Sequence, residues 1–227
     1  MKTDGRLGRL SALYGDLIPK YSRIPLLSVL LFNMLVYFLS KPFLGERFFD
    51  LSIGLDTQIP FCAPFVIFYV LAYLQWGLGY IIVGRESRAA CYRMVAADLI
   101  AKTVCLVFFI AMPTTIVRPE LTEGGVFEWM TGLIYDMDSP VNLFPSIHCL
   151  ESWAVFRCAL PLKKIGLWYK ITTGVITVGV FFSVVFLKQH FLIDIPAGIL
   201  VFELGLLVTR FTRFDSLIDS FMRRINR

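Results

Sequence analysis

Histidine occurs only twice in this 227-residue chain, and charge is thin, with Asp, Glu, Lys and Arg together making up 17% of residues. An ordinary soluble domain carries about a quarter charged residues, so a conventional water-facing surface is excluded. The five cysteines, Cys62, Cys91, Cys105, Cys149 and Cys158, have no metal-ligand spacing. That excludes a zinc module and leaves them as small hydrophobes within apolar runs. No low-complexity linker or internal repeat divides the chain, so a single domain over residues 1–227 is expected. Repeat-related halves with broken helices, a mark of many transporters, are also missing.

What is present is hydrophobic: 57% of residues are apolar, 15% are aromatic, and the mean hydropathy is +0.70. This is the composition of an integral membrane protein, and the expected fold is an all-α bundle. About 20 apolar residues cross a bilayer. Six runs are therefore read as helices: Ile24 to Leu44, Thr57 to Gly84, Met94 to Val117, Ser146 to Leu162, Trp168 to Leu187 and Phe191 to Thr209. The fourth is short and contains His148, Glu151 and Arg157, so it is acceptable only inside a bundle.

Lys and Arg concentrate before the first run, after the second, around the fourth-to-fifth turn and after the sixth. Cytoplasmic loops carry this excess, which predicts six spans with both termini cytoplasmic. The net charge of +5 is accounted for by these edges, and no nucleic-acid partner is implied. The first run has no clear cleavage site and is read as a retained helix.

Two further segments are expected to lie along the membrane. Within residues 1–23, Leu7, Leu10, Tyr14, Leu17 and Tyr21 recur at helical spacing among basic residues, as in an interfacial helix. In the acidic outer loop, 118–144, Phe127, Met130, Ile134 and Met137 form an apolar stripe, read as a partial lid that meets membrane lipid. Deeper in the bilayer, Lys102 and Glu203 fall at comparable depth and are expected to pair, with Asp98 one turn from Lys102 as a second partner.

The two histidines lie in polar islands, Pro145-Ser146-Ile147-His148 and Lys188-Gln189-His190-x3-Asp194. The expected topology brings both to the outer face, together with Arg118-Pro119 at the end of the third helix. These groups suit phosphoryl transfer, which depends on positioning and on neutralising the phosphate oxygens. Arg118 and Lys188 supply cations, and Ser146 supplies a hydroxyl at a helix start. His190, four residues before Asp194, can present one ring nitrogen as nucleophile while the carboxylate holds the other. His148 can protonate the leaving oxygen. Glu151, three residues after His148, is either part of the polar lining or a tuning group.

Together these motifs resemble the type 2 phosphatidic acid phosphatases. Pro145-Ser146-Ile147-His148 matches that family's Pro-Ser-x-His, His190-x3-Asp194 matches the catalytic half of its third signature, and Arg118-Pro119 matches the end of its Lys-x6-Arg-Pro. The position of the first signature's lysine is Ala111 here. The Lys188-Gln189-His190 form is similar to the branch containing inositol phosphorylceramide synthases. The resemblance covers roughly Met94 to Gly198. It implies a lipid phosphatase or headgroup phosphotransferase with phosphohistidine on His190, Asp194 orienting, His148 as acid and base, and no metal or other cofactor. The implied substrate is a lipid phosphate in a bacterial cytoplasmic membrane, with the site facing outward. A non-catalytic transporter or scaffold is the alternative of another class.

Overall fold

The structure is a computed structural model that describes residues 17–43, 47–121 and 124–225. Eight α-helices account for most of them: α1 (Lys20–Ser40), α2 (Val66–Glu86), α3 (Arg88–Ala111), α4 (Val126–Met137), α5 (Ile147–Ala159), α6 (Leu167–Phe186), α7 (Asp194–Thr212) and α8 (Phe214–Ile225). Among the described residues the only β pairing is two isolated bridges, Phe49 with Thr114 and Thr115 with Val141. Five helices are long and apolar enough to cross a membrane: α1, α2 with its leading 3₁₀ turn, α3, α6 and α7. The protein is thus an all-helical, multi-pass membrane protein.

Helix α3 is the hub, packing against α1, α2, α7 and α8. Its alanines and cysteines explain the role, because small side chains allow backbones to approach closely. Gly205 of α7 sits so near α3 that an added Cβ would lie 2.3 Å from the Ala97 carbonyl oxygen. The α2–α3 hairpin is closed by Ser87, whose hydroxyl accepts from Ala90 N at 3.1 Å and caps α3. Outward faces of the long helices remain apolar, with Leu30, Leu74, Val107, Val175 and Leu200 all exposed. In water such surfaces would be a liability; in lipid they are the solvent-exposed side.

Several sequence expectations are corrected. The second run does not begin as helix at Thr57: residues 57–62 cross the histidine-bearing face as a loop, and a 3₁₀ turn, Ala63–Phe65, leads into α2. Pro60 and Pro64 account for this, since proline lacks the amide that a helix interior requires. The fourth run yields only α5, 13 residues long and packed among α2, α3, α6 and α7. The proposed helix in residues 1–23 falls mostly outside the described residues, including Leu7, Leu10 and Tyr14; Tyr21 belongs to the first turn of α1.

The expected Lys102–Glu203 pair is absent. Lys102 is fully buried, 3.4 Å from Asp98 and in direct contact with Glu151, whose other oxygen accepts from Tyr80 at 2.8 Å. Glu203 instead meets Arg157 at 3.0 Å and Trp153 Nε1 at 2.9 Å. Depth had placed Lys102 and Glu203 on one level, but the direction around each helix axis separates them. Glu151 therefore serves the Lys102 cluster and does not contact His148.

Candidate active site

The turn from α6 to α7 carries His190. Helix α6 ends at Phe186; two residues on, Lys188 adopts a left-handed backbone (φ 51°), and the amides of Gln189 and His190 both return to the Val184 carbonyl, at 2.9 and 3.0 Å. Asp194 opens α7. One carboxylate oxygen receives the Phe191 amide at 3.0 Å and lies 3.1 Å from His190 Nδ1. The His–Asp contact thus forms across a turn ahead of the helix, whereas the spacing had suggested one turn within it. With Nδ1 held, Nε2 is the ring nitrogen left for chemistry.

His148 stands in the first turn of α5. Ser146 is that helix's N-cap, its hydroxyl accepting from Cys149 N at 3.3 Å, and its own amide donates to the Asp194 carbonyl at 3.4 Å. Gly198 permits this junction, because an added Cβ would lie 2.6 Å from the Ser146 carbonyl oxygen. The two imidazole centroids are 6.0 Å apart. His148 is enclosed by aromatic rings, with Tyr69 at 4.3 Å, Trp76 at 5.2 Å and Tyr73 at 5.9 Å between centroids, and the Tyr73 hydroxyl is 3.4 Å from its Nε2.

Arg118, Lys188 and His190 line one cavity of about 680 Å³ on this face, bordered by Asp50, Asp56, Phe48 and Phe191. His148 is not on that cavity's wall. Arg118 is held by the carbonyls of Tyr135 (3.1 Å) and Asp138 (2.7 Å) and by Gln189 Oε1 (2.5 Å), and its guanidinium stacks 4.4 Å from the Tyr135 ring. Lys188 donates to the carbonyls of Asp56 and Ile59, at 3.0 and 2.5 Å, which fastens the 57–62 loop over the site. Arg118 Nε, Gln189 Nε2 and the second Asp194 oxygen are buried without a protein hydrogen bond. Such groups are costly unless a ligand or water meets them.

Sequence reasoning passed over three contributors. Gln189, almost fully buried, links Arg118 to the histidine turn. Tyr135 donates its hydroxyl to the Leu187 carbonyl at 2.6 Å, and burial, opposed by Arg118, pushes its phenol up to about 12. Asp138 accepts from Tyr69 at 3.3 Å; burial raises its carboxyl, while His190 and Arg118 pull it down. Nothing in the spacing of these residues distinguishes them from loop polar groups. The apolar stripe did foretell α4, whose Phe127, Met130 and Ile134 pack inward; Met137 departs from it and is 83% exposed beside Trp129 and Val126.

Among the described residues no group of three or more His, Cys, Asp or Glu is arranged to hold a metal ion. Compared with known proteins, the chain matches no family model, no curated protein and no solved structure.

Proposed function

We propose that this chain is a lipid phosphate or diphosphate phosphatase of the type 2 phosphatidic acid phosphatase kind, working without a metal through phosphohistidine. The observation that carries the reading is His190, paired with Asp194 and sharing a cavity with Arg118 and Lys188, while the His148 ring lies 6.0 Å away. In this reading the phosphate sits against His190 in the cavity and its ester oxygen extends from there toward His148. The five long helices together with α5 make six crossings, with α1 starting and α7 ending on the basic, cytoplasmic side and the histidines facing outward.

In the first step neutral His190 Nε2 attacks phosphorus and the P–O ester bond breaks. Its electron pair leaves on the alcohol oxygen, which takes a proton from His148, whose charged form the bound phosphate anion favours. Arg118 and Lys188 balance charge on the phosphate oxygens. In the second step His148 removes a proton from water, the water oxygen bonds to phosphorus, and the N–P bond breaks to release phosphate and free His190. Val126, Trp129 and Leu133 leave α4 an exposed apolar side, which in this reading meets the lipid as it enters sideways. The Lys188-Gln189-His190 form supports one second reading, in which an alcohol takes the place of water and the protein is a headgroup phosphotransferase.

The test incubates purified protein with phosphatidic acid, phosphatidylglycerophosphate and a polyprenyl diphosphate, with and without an alcohol acceptor and with chelator. Free phosphate and transferred lipid are both measured. Activity on at least one substrate, resistant to chelation and lost in His190→Ala, is the expected outcome. Near-normal turnover by His190→Ala, or abolition by chelator, overturns the proposal.

A further inference from the structure

A cationic cavity lies at the opposite end of the bundle from the histidines. About 980 Å³ in volume, it is enclosed by the start of α3, the α5–α6 turn, the end of α7 and the start of α8. Arg93, Lys163, Arg210 and Arg213 reach it from three separate stretches of chain, and all four are exposed. The carboxylates around it are already engaged. Glu86 accepts from the amides of Lys163 and Lys164, both at 3.2 Å, Glu203 holds Arg157, and Asp215 accepts from the Ser216 amide at 2.9 Å.

Below the cations the walls are greasy, with Met94 and Leu162 buried and Leu206 packed against the same core. The capped first turn of α3, from Ser87 to Ala90, opens into the basin and adds its positive dipole end. Arg213, which caps the end of α7 with a left-handed backbone (φ 55°), brings its cation to the basin from the α7–α8 corner.

We infer that this basin binds the phosphate headgroup of an anionic lipid, drawn from the leaflet opposite the candidate active site. A scattered basic edge would serve topology alone. Here the cations converge on a cavity whose floor suits the glycerol and upper acyl carbons of a phospholipid, and whose rim suits its phosphate. The site is separate from the histidine chemistry and does not depend on it.

Native mass spectrometry of the full-length protein in detergent tests this, titrating dioleoylphosphatidylglycerol, dioleoylphosphatidylcholine and inorganic phosphate separately. Removing two phosphate partners in Arg93→Gln/Arg210→Gln should weaken phosphatidylglycerol binding about tenfold or more. Phosphatidylcholine binding should not change. Arg223→Gln/Arg224→Gln removes equal charge from the exposed side of α8 and should shift phosphatidylglycerol binding by no more than about twofold. Circular dichroism melts confirm that each variant is folded, and Arg213→Gln supplies a second variant if the double one is not. Equal losses in the two double variants reduce the basin to a generic basic edge and overturn the inference. Inorganic phosphate binding as tightly as phosphatidylglycerol overturns its assignment to a lipid.

Discussion

Replacing Lys102 by Met should be among the most damaging single changes in this protein. Lys102 is wholly buried between Asp98 and Glu151, both of which are themselves buried, and both Asp98 oxygens lack any hydrogen bond. Methionine preserves the length of the side chain, so packing changes little, but two carboxylates then face each other with no cation. Breaking a buried ion pair by removing one partner costs about 3–5 kcal/mol. For a chain of this size each kcal/mol moves the midpoint by roughly 2–4 °C, so a fall of about 6–20 °C is expected. The triple change Asp98→Asn, Lys102→Met, Glu151→Gln removes all three charges and should recover most of that loss, because uncharged replacements of buried ion pairs are often neutral or stabilising. Glu203→Gln is the contrast: its pair with Arg157 is about two-fifths exposed and is worth roughly 0–1 kcal/mol. The assay is thermal unfolding in one detergent, followed by circular dichroism. A Lys102→Met midpoint within about 1 °C of wild type, or no recovery in the triple variant, would refute the reasoning.

Three further outcomes are expected. Gly198→Ala should cost about 1–3 kcal/mol in a melt, because its Cβ meets backbone atoms of Ser146 and Leu150, whereas Gly77→Ala, with nothing within 4 Å, should be neutral or slightly stabilising; equal effects would contradict the contact geometry. Asp194→Asn should keep the fold but lower kcat by about 10³–10⁴, and a loss below tenfold would remove its orienting role. Burial raises the Asp138 carboxyl, so folding favours its protonated form; that stability is present below the ordinary value of roughly 4 and is lost as pH rises through the raised native value. Asp138→Asn cannot ionise, so its melting midpoint should gain on wild type between about pH 4 and pH 7, and a flat difference across that range would count against the burial argument.

Periodic features of the chain translated well into structure, while directional ones did not. Apolar runs located α1, α6 and α7 to within four residues at each end, placed α3 six residues too late at both ends, and missed the loop into which Pro60 and Pro64 fold the head of α2. The His190–Asp194 spacing foretold their contact even though the intervening backbone is a turn. Helix α8 falls outside the six apolar runs, although Phe214, Leu217, Ile218, Phe221, Met222 and Ile225 carry a helical period; its charged residues keep it from reading as a span. Of the partners of Lys102, Asp98 was legible from its spacing of four residues, but Glu151 was out of reach for a physical reason. Sequence position measures height along an axis, and only packing decides which neighbour a side chain faces.

The brevity of α5 has a consequence for how the protein is made. Thirteen residues rise about 20 Å, short of a hydrocarbon core of about 30 Å, and this helix brings Glu151 and Arg157 with it. As it leaves the ribosome, such a segment has little to offer a bilayer on its own. Its satisfied state needs Lys102 from α3, already in place, and the walls of α6 and α7, which are synthesised later. His148 would therefore be among the last residues of the candidate site to reach its position. A nascent chain halted after the α5–α6 turn should leave α5 open to water-soluble labelling reagents, and completing α6 and α7 should close it.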